Sequence, residues 1–256
     1  MDKGVGRSLG RIWAILVLAP CRVLGVVAHL LKGLWLARLP YVDRLPDQRD
    51  EAVRNWSRQM LKILGIRLVV DGHARPGPKL LVSNHTSWLD IVAINSAVPS
   101  RFVSKAEVAH WPLVGAVVTA AGTLYLQRER PRDAVRVLGL MSQALRDGYT
   151  VAVFPEGTTG DGHELLHFHA NMLQSAIDAK MPVQPVAVSY SEPGHAISPS
   201  TAFVGDTTLL QSLWQVLSAR GLSVHVRILP LQTVNHADRR ALAESLRHQI
   251  DAVLKG

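Results

Sequence analysis

The chain has 256 residues, of which 48% are hydrophobic and 19% are charged, and its formal net charge is +8. This length accommodates one sizeable α/β domain, with or without a short appendage, and the composition excludes an intrinsically disordered protein. The basic balance suits an anionic partner. Because the sequence has no Lys/Arg run, zinc-finger spacing or aromatic RNA-binding stretch, we expect an anionic membrane surface and not nucleic acid.

Residues 1–40 are predicted to be a membrane-anchoring helical segment. About twenty largely apolar residues lie between Ile12 and Leu31. Arg22 lies near their middle, where a charge costs roughly 2.5–3.5 kcal/mol on insertion into a bilayer. Pro20 beside it interrupts a helix. Two short helices in one leaflet, on either side of Pro20, are therefore favoured, and a single transmembrane span is the alternative.

The charges of this segment predict its orientation. Up to residue 38 one acid, Asp2, stands against six basic residues, which are Lys3, Arg7, Arg11, Arg22, Lys32 and Arg38. Basic residues beside a membrane segment are attracted to the anionic cytoplasmic leaflet. We therefore expect the protein at the cytoplasmic face of the cell membrane.

The remaining residues are predicted to form a linker and one domain. Residues 41–65 begin as a polar linker and enter a helix that ends near Leu64, and residues 66–256 form the domain. Strands and helices alternate there, which is typical of an α/β fold with a mostly parallel central sheet flanked by helices. The predicted strands lie in IRLVVDG, KLLVS, RFVSK, TLYLQR, YTVAVFPEG, PVQPVAVSY, AFVGD and SVHVRILP. The predicted helices lie in DIVAINSAV, WPLVGAVVTAAG, DAVRVLGLMSQALRDG, HANMLQSAIDAK and the segment after Asn235.

A His and an Asp follow the second of these strands. The residues NHTSWLD place His85 in a polar turn and Asp90 in the first turn of a helix. Open α/β sheets bind ligands at such strand ends. A carboxylate on one imidazole nitrogen orients the ring and leaves the other nitrogen to remove a hydroxyl proton. By itself the pair is a common pattern, and an ordinary turn histidine with a helix-start acid is the alternative.

Two features favour a functional pair. Asp90 lies in an apolar helix, where a carboxylate needs a partner. Further along, VFPEGTT is a buried strand followed by a Pro-Glu-Gly turn and two threonine hydroxyls. Gly157 allows close approach of a ligand, and Thr158 and Thr159 can donate hydrogen bonds to an oxyanion. An ordinary Pro-Gly turn is the alternative for this segment.

Four blocks together resemble the glycerolipid acyltransferase family, whose best-known members make phosphatidic acid from lysophosphatidic acid. NHTSWLD is similar to the first signature of the family and VFPEGTT to the third. The residues from Ser104 to Arg128, SKAEVAHWPLVGAVVTAAGTLYLQR, are similar to the second, and PVQPVAVSY is similar to the fourth. The blocks occur in the family's order and cover roughly residues 80–190.

The resemblance implies a membrane-bound O-acyltransferase with a mostly parallel α/β sheet. Such an enzyme moves a fatty acyl group from a thioester, acyl-CoA or acyl carrier protein, onto the free hydroxyl of a lysolipid, and it needs no cofactor and no catalytic metal. His85 is implied as the general base and Asp90 as its orienting acid. The residues implied to lie near the acyl acceptor are Lys105, Arg128, Glu156, Gly157, Thr158 and Thr159. On a bare reading Lys105 and Arg128 are solvated surface charges.

The acceptor implied first is 1-acylglycerol-3-phosphate, which would give phosphatidic acid. One departure from the family keeps another acceptor open. Family members that act on lysophosphatidate usually carry an Arg directly after the Gly-Thr of the third signature, and here that position is Thr159. Arg is the natural bidentate partner of a phosphate. The run GTTGDG resembles a branch of the family that acylates lyso-ornithine lipids, so that acceptor is the alternative.

Three other interpretations are open from the sequence. His163, Glu164, His167 and His169 have spacing like that of metal ligands, although spacing alone is weak evidence for a metal site. The chain is alternatively a lipid-binding protein that has lost the chemistry, or a hydrolase of acyl thioesters or esters. The sequence has no Gly-x-Ser-x-Gly motif, so serine-hydrolase chemistry is not expected.

Overall fold

In the computed structural model, which describes residues 18–38, 46–127, 131–234 and 238–256, seven strands form one sheet. Their order across the sheet is β1-β7-β6-β2-β5-β3-β4. Their bounds are Arg67–Asp71 (β1), Leu80–Ser83 (β2), Arg101–Lys105 (β3), Leu124–Leu126 (β4), Val151–Val153 (β5), Val183–Ser191 (β6) and Ser223–Ile228 (β7). Only β6 and β7 pair antiparallel, and every other neighbouring pair is parallel. The predicted mostly parallel sheet is confirmed.

Helices cover both faces of the sheet. Their bounds are Ala19–Arg38 (α1), Pro46–Leu64 (α2), Leu89–Ala97 (α3), Val114–Ala120 (α4), Pro131–Arg146 (α5), Gln174–Ala179 (α6), Leu209–Ser218 (α7) and Arg239–Lys255 (α8). The central strands β2 and β5 are buried at every residue, as a parallel sheet between two helical layers requires. Alternate side chains of β2 enter opposite cores: Leu81 packs with α1, α2, α3 and α7, and Leu80 packs with α5, α6 and α8.

Helix α1 occupies the place of the second of the two helices predicted around Pro20. Pro20 is the second residue of α1, and the described part of the chain begins only two residues before it. The helix predicted before Pro20 falls on residues outside the described part of the chain. Among the described helices, α1 alone is long and apolar enough to cross a membrane, by length and composition only. It packs against α2, α4 and α7.

The Arg22 guanidinium is held by the protein. Its Nη1 donates to the carbonyl oxygens of Leu217 at 2.8 Å and Ala219 at 2.7 Å. Leu217 lies in the last turn of α7 and Ala219 is its C-cap residue, and the helix dipole favours a cation at this end. Arg22, whose charge disfavours a membrane span, therefore joins α1 to the α/β domain.

One predicted strand needs correction, and one helix was not predicted. The AFVGD segment, predicted as a strand, is a loop, because its Phe203 N–H donates to the Thr86 carbonyl in the turn after β2 and not to a neighbouring strand. The segment after it contains α7, which the sequence analysis missed. Thr208 and Gln211 form a capping box at the start of α7, and this signal was readable in the sequence. Helix α2, Pro46–Leu64, ends at the residue where the sequence predicted the end of a helix.

Candidate active site

The turn between β2 and α3 holds the predicted pair and is tied to the neighbouring strand. β2 ends at Ser83, and α3 begins at Leu89. The buried Asn84 side chain donates to the Val188 carbonyl and accepts from the Val188 N–H, each at 2.8 Å. Both bonds join the turn to β6, so the start of the turn is fixed to the sheet.

His85 and Asp90 meet in this turn. The His85 Nδ1 lies 2.8 Å from Asp90 Oδ2. The Asp90 side chain is fully buried, whereas 18% of the His85 side chain is exposed. Because a carboxylate oxygen only accepts, Nδ1 carries the hydrogen of a neutral ring, and Nε2 is left as the free acceptor. The geometry matches a base whose proton-accepting nitrogen is oriented by an acid on the other nitrogen.

Four donors surround the Asp90 carboxylate besides His85. Oδ2 accepts from the backbone N–H groups of Thr86 at 2.7 Å and Ser87 at 2.9 Å. Oδ1 accepts from the Tyr190 hydroxyl at 2.8 Å and from the Thr86 hydroxyl at 3.4 Å. A buried carboxylate needs such partners, and the first turn of α3 adds a favourable helix dipole. The sequence predicted that the Asp90 carboxylate needs a partner in its apolar helix, and the structure provides several hydrogen-bond donors.

The Phe154 ring packs against the face of the His85 imidazole. Phe154 is the first residue after β5, and its ring stacks on the His85 imidazole at a centroid distance of 3.9 Å and an angle of 8°. Phe102 of β3 stacks on the Phe154 ring in turn, at 5.6 Å. The sequence analysis did not single out Phe154, although its place between a buried strand and the Pro-Glu-Gly turn was a readable signal.

Glu156 connects two loops around His85. Its Oε1 accepts from the His85 backbone N–H at 2.6 Å, and its Oε2 accepts from the Leu166 N–H at 3.0 Å. The side chain is buried, and burial raises the pKa of this carboxyl group, while the hydrogen bonds from Leu166 and His85 lower it. Both oxygens are occupied by backbone amides. Glu156 therefore positions the histidine turn.

The turn after Glu156 contacts the His85 turn directly. Gly157 has a positive φ of 71°, which favours glycine, and the Gly160 N–H donates to the His85 carbonyl at 2.8 Å. The Thr159 hydroxyl donates to the Phe203 carbonyl, so the predicted oxyanion donor is used to hold the 201–207 loop. Thr158, the residue before Thr159, is exposed.

One predicted basic residue, Lys105, lies outside this network. Lys105 is the last residue of β3, at the same edge of the sheet, and its exposed ammonium group makes no hydrogen bond or ion pair with the residues that the structure describes. Arg128 lies outside the described residues. Of the predicted acceptor-site residues, Glu156 bonds directly to the His85 turn, and Gly157 and Thr159 belong to the loop that follows Glu156. Lys105 has no described contact with the His85 turn.

The histidines after the Gly-rich turn are exposed. His163, His167 and His169 point to the surface, and the rings of His167 and His169 lie edge to face at 5.3 Å. Within the described ranges, no group of three or more His, Cys, Asp or Glu residues is placed to hold a metal ion. The ligand-like spacing therefore does not produce a cluster in the described part of the fold.

A His–Asp pair and a Pro-Glu-Gly turn at the carboxyl ends of central parallel strands define the class of this protein. A family model described as Acyltransferase matches residues 67–189, which include the pair and the turn. The chain belongs to this acyltransferase family, and the resemblance seen in its sequence is confirmed.

The relatives of this chain are named as acyltransferases of lysolipids. The chain is 36% identical to a lyso-ornithine lipid O-acyltransferase of Pseudomonas aeruginosa over 94% of both chains. It is also 36% identical to a 1-acyl-sn-glycerol-3-phosphate acyltransferase of Neisseria meningitidis, over 82% of this chain and 83% of the relative. The crystal structure of the 1-acyl-sn-glycerophosphate acyltransferase PlsC from Thermotoga maritima shares the fold, with a TM-score of 0.70, 20% identity and 96% coverage of each chain. The protein is thus an acyltransferase of the lysolipid type.

Proposed function

We propose that this acyltransferase moves a fatty acyl group from an acyl thioester to the free hydroxyl of a lysolipid at a membrane surface, with His85 as general base and Asp90 as its orienting acid. The observation that carries the proposal is the 2.8 Å contact between His85 Nδ1 and Asp90 Oδ2, which leaves Nε2 free on a partly exposed ring.

The reaction follows from this arrangement. Nε2 takes the proton of the lysolipid hydroxyl while its oxygen attacks the thioester carbonyl carbon, and the C–S bond of the resulting tetrahedral intermediate breaks. The imidazolium returns the proton to the leaving thiolate, so an ester and a free thiol are formed. General base catalysis contributes about 10²–10⁴-fold. The Thr158 hydroxyl is the candidate donor for the oxyanion, because Thr159 is occupied by Phe203 and Lys105 has no described contact with the His85 turn.

For the acceptor we place lyso-ornithine lipid first and 1-acylglycerol-3-phosphate second. A phosphate monoester carries about −1.5 to −2 charges at pH 7 and is best bound by a bidentate Arg. At the position where phosphate-specific members of the family have Arg, this chain has Thr159, and its hydroxyl holds the 201–207 loop. An ornithine headgroup has one carboxylate balanced by its own ammonium group, so it lacks the net negative charge of a phosphate monoester and depends less on such an Arg. The Neisseria relative keeps the phosphate acceptor as the second candidate.

Acceptor preference can be tested at Thr159. We expect Thr159→Arg to raise the ratio of kcat/KM for 1-acylglycerol-3-phosphate over lyso-ornithine lipid by about tenfold or more, because a hydrogen bond to a charged group contributes about 1.5–3 kcal/mol. The measurement supplies purified protein with both acceptors and both thioester donors and identifies the new lipids by mass spectrometry.

The matched control for this experiment is Thr159→Val. Valine keeps the β-branched shape and loses only the bond to Phe203, so both acceptors should slow by the same factor. If Thr159→Arg leaves the ratio unchanged, or if Thr159→Val shifts it equally, the acceptor assignment is wrong. Free fatty acid in place of acylated lipid would instead identify a hydrolase.

The proposed membrane contact rests on an exposed apolar surface. On α1, Leu24, Val27, Leu31 and Trp35 are exposed in one stripe at helical spacing, and on the adjoining α7, Leu210 and Trp214 are exposed one turn apart. Trp favours the membrane–water interface. The opposite face of α1 packs on the domain, and Arg22 is bonded to α7. Both features support an α1 that lies in the cytoplasmic interface rather than one that spans the bilayer.

Vesicle binding tests this surface. We expect Leu24→Glu to lower the partition coefficient of the protein onto phosphatidylglycerol vesicles by about tenfold, because burying a Leu side chain contributes about 1.5–3 kcal/mol. The partition coefficient is obtained from the fraction of protein that floats with the vesicles. The matched control is Val135→Glu on α5, since Val135 is 72% exposed and Leu24 71%. Equal flotation of the two variants would rule out α1 as the contact. Phosphatidylcholine vesicles report the contribution of anionic lipid.

A further inference from the structure

The hydroxyl of Tyr190 binds the carboxylate of the His–Asp pair on the oxygen that His85 does not use. It lies 2.8 Å from Asp90 Oδ1, whereas His85 contacts Oδ2. Tyr190 is 4% exposed and lies on β6, directly beside β2. The Tyr190 carbonyl accepts from the Ser198 N–H at 2.9 Å, so the loop after β6 also holds the Tyr190 backbone. A strand therefore places this hydroxyl rigidly.

Tyr190 is the strongest donor available to Oδ1. The other donor, the Thr86 hydroxyl, is 3.4 Å away, which is at the limit of a hydrogen bond. Burial and the nearby Asp90 charge raise the pKa of the Tyr190 phenol well above its usual value, so the hydroxyl keeps its proton and donates at all working pH values. A buried Oδ1 without this donor would be poorly satisfied.

We propose that Tyr190 is a positioning residue of the acyl-transfer site, which sets the orientation of Asp90 and the strength with which its carboxylate attracts the His85 proton. The inference rests on the proposed function of His85 as the base. By donating to Oδ1, the phenol fixes the carboxylate plane so that Oδ2 faces Nδ1. It also withdraws negative charge from the carboxylate, which moderates the attraction. Tyr190 acts through Asp90 and contacts no substrate in this arrangement.

The electrostatic setting of the pair includes one further acid. Glu156, at the turn after β5, interacts electrostatically with both His85 and Asp90. The Tyr190 phenol enters from β6, and Asp90 and His85 belong to the turn between β2 and α3. Among the described residues no other charged group makes a hydrogen bond or ion pair with the pair. A change in the titration of His85 on removal of the phenol is therefore attributable to Asp90.

The test is Tyr190→Phe, which keeps the ring and removes only the oxygen. We expect kcat to fall about tenfold, as for the outer-shell partners of metal-binding histidines, with the KM values of both substrates unchanged. We also expect the acid limb of the kcat–pH profile to move to higher pH, because the carboxylate, freed of its donor, attracts the His85 proton more strongly. The midpoint of the kcat–pH profile is read from the relative rates at different pH values. The concentration of folded enzyme cancels in these ratios, so a loss of folded protein does not move the midpoint.

A second readout does not require turnover. In an NMR titration, the pH midpoint of the His85 ring resonances should move to higher pH in Tyr190→Phe and stay in place in the matched control Tyr125→Phe. The Tyr125→Phe substitution also removes a hydroxyl hydrogen bond, which joins Tyr125 to Thr119 at 2.6 Å. Tyr125 lies on β4 and has no hydrogen bond to His85 or Asp90. Unchanged midpoints and profiles, or an effect confined to KM, would overturn the inference. A wild-type protein that forms no acylated lipid would overturn the proposed function, while the NMR midpoint would still decide the role of Tyr190.

Discussion

His85→Ala is expected to lower kcat for acyl transfer by about 10²–10⁴-fold, because it removes the group that accepts the hydroxyl proton. Asp90→Asn is expected to have an effect of similar size. Its amide oxygen can still accept from His85 Nδ1, but the negative charge that stabilises the imidazolium is lost, and in a serine protease triad the corresponding change costs about 10⁴-fold. The KM values should change little, since neither residue binds the thioester tail or the lipid headgroup.

The measurement is initial-rate formation of acylated lipid, with controls chosen from the protein surface. His248→Ala and Asp178→Asn make the same chemical changes on α8 and α6, at exposed positions whose only described partners are Glu244 and Gln174. These variants should behave as wild type. Near-normal turnover by His85→Ala or Asp90→Asn would reject the pair as the catalytic machinery. The double variant should be no slower than the slower single variant, because two residues that act as one unit are not additive.

Glu156→Gln is expected to reduce both stability and turnover. The amide keeps one acceptor oxygen and turns an NH₂ group toward a backbone N–H, so either His85 N or Leu166 N loses its acceptor in a buried place. Leaving a buried donor unsatisfied costs about 1–3 kcal/mol in the free energy of unfolding. Because the lost bonds position the His85 turn, we expect kcat to fall about 10–100-fold, by the reasoning that applies to outer-shell partners of functional histidines.

Denaturant unfolding and initial rates, measured on the same preparation, distinguish the two roles that Glu156 could have. A residue that binds the acceptor would raise the KM for the lysolipid and leave the free energy of unfolding unchanged. A positioning residue lowers kcat and stability together. Glu164→Gln is the matched control, since Glu164 is exposed on the loop that follows and undergoes the same substitution. It should leave both quantities at wild-type values.

The sequence predicted much of the central site because its determinants are local. His85 and Asp90 are five positions apart across a strand–turn–helix junction, and such short spacing limits where the two side chains can lie. Likewise, the apolar runs of β2 and β5 indicated strands buried on both faces. The capping box at Thr208 was equally local, although the helix that it begins was not predicted.

The tertiary structure decided what distant residues do. Tyr190 reaches Asp90 across 100 positions, and Arg22 reaches Leu217 across 195. No spacing rule links such residues, because the contact depends on which strands become neighbours in the sheet and on how α1 packs. Glu156, Thr159 and Phe154 belong to a motif that the sequence displays, yet their partners His85, Leu166 and Phe203 become known only when three loops converge. Local patterns thus determined that His85 and Asp90 meet, and long-range packing determined the groups that orient them.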